Sequence, residues 1–140
     1  MLGALRRLRA SEADVVIVTS HHSLFDGRIH RFLAELAETE LKVLLSGFGE
    51  ASSFAHHWCE VVSVKQPTFL RRAAFGLLAP IFWGSDVLIL MDPISVSGSL
   101  LRRRNGRQII TDIHEDYEKV ERRWRKSWIM EFLVRLALRL

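Results

Sequence analysis

Read from its amino end, the chain alternates compact apolar runs rich in β-branched residues with stretches in which apolar side chains recur every three or four positions. The run Asp14-Val15-Val16-Ile17-Val18-Thr19-Ser20 is almost continuously apolar, as a strand covered on both faces requires. After it, Ile29, Phe32, Leu33, Leu36 and Ala37 fall at i, i+3, i+4, i+7 and i+8, which predicts an amphipathic helix with Asp26 as its N-cap. Arg28, Arg31, Glu35 and Glu38 lie mostly off that stripe and read as its solvated side.

Leu41 to Ser46 reads as a second buried strand closed by Gly47-Phe48-Gly49, and Glu60 to Val64 as a third, closed by Gln66-Pro67. Phe69 to Trp83 has helical spacing, with Pro80 set to kink or end it. Asp86 to Met91 is a fourth strand and Gln108 to Ile113 a fifth, joined through a short helix from about Ser95 to Arg104 and the turn Asn105-Gly106. Buried strands alternating mainly with helices imply an α/β fold: a Rossmann-like parallel sheet of about five strands with flanking helices.

From about Tyr117 to Leu140 the apolar positions Val120, Trp124, Trp128, Phe132, Leu136 and Leu140 form a ridge with a four-residue repeat, which calls for a partner surface. The sheet, another domain or subunit, a second copy of the chain, and an anionic membrane surface all satisfy that demand, the last because arginines flank the tryptophans.

Composition narrows the picture. The chain has 140 residues, enough for one domain with a real core, and its 49% hydrophobic and 26% charged content is that of a globular protein. A single cysteine, Cys59, excludes an intramolecular disulfide and a cysteine-based zinc cluster, in keeping with a reducing, cytoplasmic setting or the inner face of a membrane. The N-terminal Met1 to Arg9 is basic without the apolar core of a signal peptide and reads as a frayed arm. The longest uncharged stretch, Ala73 to Ser85, falls short of the roughly 20 residues that a membrane span needs. The net charge of +4 is concentrated in Arg102 to Arg107 and Arg122 to Lys126, yet no nucleic-acid-binding motif accompanies it, so no nucleic-acid partner is expected.

Neither a G-x-G-x-x-G turn nor a P-loop follows the first strand. That turn instead offers Ser20, His21, His22, Ser23 and Asp26, with Arg28 in the first turn of the helix. The fifth strand ends in Asp112-Ile113-His114-Glu115-Asp116-Tyr117. In an open parallel sheet both segments lie on the edge at the strands' carboxyl ends, where ligands bind. A histidine flanked by carboxylates suits work on a polar or phosphorylated substrate. Asp112, His114, Asp116 and Asp92 are also compatible with a metal-dependent hydrolase, whereas the adjacent pairs His21-His22 and His56-His57 make poor chelates because neighbours in extended chain point to opposite sides.

His22-x-x-Phe25-Asp26-x-Arg28-Ile29, Met91-Asp92-Pro93 and Asp112-x-His114-Glu115-Asp116-Tyr117, in this order at successive strand ends, resemble the N-terminal domain of a family 4 glycosyltransferase of the GT-B fold over about Asp14 to Leu140. The resemblance implies one Rossmann-like domain over 1–140, incomplete at its C-terminus, that supplies the acceptor side of a cleft for hexosyl transfer from a nucleotide-sugar to a glycan or lipid-linked acceptor. It implies His114 as the catalytic residue facing the donor's sugar and phosphates, and His22, Asp26, Arg28, Asp92 and Glu115 as substrate-binding residues. No cofactor or metal is implied. The donor-binding half with its E-x7-E motif is not in this sequence, so the chain alone is expected to be inactive and to work with a second half or subunit. The non-enzymatic alternative is a partner- or membrane-binding module acting through the basic, tryptophan-containing 117–140 segment.

Overall fold

The computed structural model describes residues 1–51, 58–64, 68–99 and 108–112. Its elements in chain order are α1 (Leu2–Ala10), β1 (Val15–Ser23), α2 (Gly27–Leu36), β2 (Val43–Phe48), β3 (Glu60–Val64), α3 (Phe69–Phe82), β4 (Val87–Leu90), α4 (Pro93–Ser99) and β5 (Gln108–Thr111). The strands form one sheet in the order β3-β2-β1-β4-β5, and every neighbouring pair is parallel. This is the α/β, Rossmann-like arrangement that the pattern of buried strands and amphipathic helices implies.

Successive side chains on a strand point to opposite faces, and β1 divides its residues accordingly. Val15 and Ile17 pack in one cluster with Ile29 and Leu33 of α2, while Val16 and Val18 pack in another with Leu5 and Leu8 of α1, Phe75 and Ala79 of α3, and Trp83 just after α3. Being covered on both faces is what requires a continuous apolar run rather than an alternating one. At the edge, β5 departs from this rule: all four of its residues are exposed, Ile110 to 47%.

Two details differ from the sequence-based expectation. The N-terminal arm is not frayed: α1 buries Ala4, Leu5 and Leu8 against the core, and leaves Arg6, Arg7 and Arg9 in solvent. Two of these, Arg7 and Arg9, fall in the last turn, where positive charge suits the helix dipole. The connection after β4 becomes helical at Pro93, a residue well suited to a first helical position. α3 agrees with its expected span, running through Pro80 to Phe82 with Trp83 as its C-cap. The 117–140 ridge, the arginine run at 102–107 and the pair His56-His57 lie outside the described residues.

Cys59 is buried, and burial, aided by the neighbouring Glu60 charge, pushes its thiol up to about 11. It is an inert core residue.

Candidate functional site

The chain leaves β1 to pair β2 on one side and later returns to pair β4 on the other, so strand order reverses at β1. The carboxyl ends of β1 and β4 flank that switch point, and three of the expected site residues meet there. β1 loses regular register with β2 between Val18 and Ser23. The hydroxyl of Thr19 accepts the His22 N–H at 3.0 Å, and the Leu24 N–H returns to the Phe48 carbonyl at 2.9 Å. This irregular tail aims His22 at the start of α2.

Asp26 is the N-cap of α2 and does two jobs at once. Its Oδ1 accepts the backbone N–H of Arg28 at 2.9 Å, as a cap should. The same carboxylate takes the Arg28 guanidinium in a two-point grip, Nε to Oδ1 at 3.0 Å and Nη2 to Oδ2 at 2.9 Å. His22 Nδ1 lies 2.8 Å from Arg28 Nη2 and 3.2 Å from Asp26 Oδ2. One ring nitrogen cannot serve both: without a proton on it, Nδ1 accepts from the guanidinium, and with one it donates to the carboxylate. The internal bonding of the cluster therefore depends on which ring nitrogen of His22 carries a proton.

Arg28's hydrogen bonds to the Asp26 side chain hold its carboxyl well below the usual carboxylate range against the opposing effect of burial, with the Arg28 backbone N–H and the Arg28 and His22 charges adding to them. A carboxyl depressed in the folded state, against about 3.9 in the unfolded chain, contributes stability that is complete above the unfolded value and drains away as pH falls through the folded one. Asp26→Asn keeps an oxygen for the cap and loses the charge. At neutral pH this variant is expected to unfold about 1 kcal/mol more easily than the wild type. The gap should close as pH falls below about 4. Parallel urea-unfolding midpoints from neutral pH into that acid range would contradict this account.

Asp92 sits behind the crevice rather than in it. It is wholly buried, and its carboxylate accepts from Ser20 N–H and Ser20 Oγ, both at 2.6 Å, from Ile94 N–H at 3.1 Å and from Ser95 N–H at 3.0 Å. The residue expected to touch substrate thus ties the end of β1 to the first turn of α4. Its effect on the site runs through Ser20, two residues before His22. His114 and Glu115 lie outside the described residues, whose last member before them is Asp112, held by its N–H to the Leu90 carbonyl at 2.9 Å.

A groove of about 620 Å³ opens beside the cluster, between α2 and the β4–β5 side of the sheet. The helix contributes Arg28, Arg31, Phe32 and Glu35; the strands contribute Ile89, Ile110 and Thr111, with Asp112 just beyond. Arg31 and Glu35 are side chains that the sequence reading left as solvated. Their signal was nevertheless present: 28, 31, 32 and 35 stand at i, i+3, i+4 and i+7, a second stripe on the helix beside the core stripe.

Among the described residues no three His, Cys, Asp or Glu side chains gather to hold a metal ion, and no helix is long and apolar enough to cross a membrane. No protein-family profile, curated protein or solved structure matches the chain.

Proposed function

We propose that this chain is the acceptor-side domain of a glycosyltransferase with two facing Rossmann-like halves, similar to family 4 enzymes of the GT-B fold. It would act on a nucleotide-sugar together with a donor-binding half. The observation that carries this reading is the meeting of His22, Asp26 and Arg28, the residues of the first motif, at the sheet's switch point. The third motif begins at Asp112, on the same sheet edge.

In the proposed reaction an acceptor hydroxyl attacks the anomeric carbon of the donor sugar, the bond to the nucleotide's phosphate breaks, and the departing phosphate carries the electron pair and takes up the hydroxyl's proton. His114 would donate a hydrogen bond to the donor as that charge develops. His22, Asp26 and Arg28 form a pre-set group of donors and acceptors whose positions are fixed by one another, which is what orienting a hydroxyl nucleophile requires. Asp92 supports them from behind.

The test is transfer from a panel of nucleotide-sugars by the native assembly, purified from its source with whatever second half accompanies it. The assembly should transfer sugar, His114→Ala should lose at least about a hundredfold of the rate, and the isolated chain should be inert. An assembly without transfer, or one unaffected by His114→Ala, would remove this reading.

A further inference from the structure

We propose that the groove between α2 and β5 is a subsite for a neutral sugar unit of the acceptor; this rests on the glycosyltransferase reading and specifies its substrate. The volume of about 620 Å³ lies inside the roughly 300–1,000 Å³ of small-molecule sites. The chemistry of the wall selects the ligand within that range. Two guanidiniums, Arg28 and Arg31, can only donate hydrogen bonds, and two carboxylates, Glu35 and Asp112, can only accept them. Sugar hydroxyls do both, so a wall of mixed sign satisfies them.

An anion fits less well. Glu35 would oppose it, and the Arg28 guanidinium is already paired with Asp26 at 2.9 and 3.0 Å. A lipid chain fits worst, because four charged groups border the space it would fill. Phe32, Ile89 and Ile110 complete the match by giving the C–H face of a sugar ring an apolar floor; Phe32 is half-buried and Ile110 is exposed to 47%. Arg28 belongs to both the groove and the His22–Asp26 cluster, so a sugar seated here extends directly to the crevice.

The full chain is titrated, with saturation-transfer NMR as readout, against methyl hexosides and neutral disaccharides, against glucose 1-phosphate, and against anionic lipid vesicles. The expected result is binding of one or more neutral sugars, weakened about tenfold or more by Arg31→Ala and by Glu35→Gln, and unchanged by Glu38→Gln as a surface control. Both substitutions fall on exposed helix positions, and circular dichroism verifies that each variant is folded. Preference for glucose 1-phosphate, strengthened by Glu35→Gln, would overturn the neutral-sugar assignment in favour of an anion site. Binding of vesicles alone, or of none of the probes, would also overturn it. So would a photo-cross-linker at position 110 that captures residues 113–140 of the same chain, because the groove would then be filled from within. Neutral-sugar binding in a native assembly that transfers nothing removes the enzymatic reading and leaves the subsite. Transfer whose acceptor KM ignores Arg31 and Glu35 does the reverse.

Discussion

An Asp92→Ala variant is expected to lose about 4 kcal/mol of folding free energy, because each hydrogen bond to a buried charged acceptor contributes about 1.5–3 kcal/mol and the donors left behind pay their own desolvation. Those donors are the N–H groups of Ser20, Ile94 and Ser95, together with the Ser20 hydroxyl, and all three residues are buried. Set against the 5–15 kcal/mol that a domain typically has, the loss is large. Ser20→Ala removes one of the four partners and should cost about 2 kcal/mol. The double variant should cost clearly less than the two losses added, since both act on one network. Urea unfolding followed by circular dichroism measures all three. An Asp92→Ala loss under about 1 kcal/mol would mean that the carboxylate is not the tie between β1 and α4.

Gly98→Ala should be nearly as damaging, at about 3 kcal/mol net of the roughly 1 kcal/mol that alanine returns in helix propensity. Every residue of α4 is buried, and a Cβ on Gly98 would run into the Leu77 carbonyl oxygen and come within 2.9 Å of the Gly76 carbonyl oxygen. Those are backbone atoms of α3, which cannot swing aside as a flexible side chain can. Gly76 repeats the constraint from the other helix, where a Cβ would lie 2.6 Å from Ser20 and 2.9 Å from Ile94. Only separation of α3 from α4 relieves the contact, and Asp92 holds the start of α4 in place. Gly3→Ala is the control: nothing lies within 4 Å of its Cβ position, so a gain of up to about 0.5 kcal/mol is expected. Equal effects at Gly3 and Gly98 would show that helix propensity rather than close approach governs both.

The sequence announces the strands far better than the site. Val15 to Val18 and Val87 to Leu90 are legible because a strand buried on both faces leaves no choice of residue type. α1 is missed because its three arginines dominate a short segment, and only contact with the rest of the core turns Leu5 and Leu8 into an anchor. Asp26 and Arg28 are found because capping and pairing are local, two residues apart. Asp92 cannot be placed from its position alone: a carboxylate at a strand end looks the same whether it faces a ligand or, as here, the Ser20 N–H 72 residues away in sequence together with the N–H groups at the start of α4. The groove stripe of α2 escapes for a related reason. Charged residues beside a core stripe read as solvated until the topology puts an open strand edge opposite them.

The central place of β1 has a further consequence, for the order in which the protein can assemble. Val15 finds one neighbour at Val43 and the other only at Val87. A nascent chain therefore presents its central strand long before the second half of its setting exists, and the early β1–β2–β3 unit must persist with one edge of β1 unpaired. Long-range parallel pairing of this kind makes folding slow and leaves a sticky intermediate. The arrival of Val87–Leu90 converts an aggregation-prone half-sheet into a closed core.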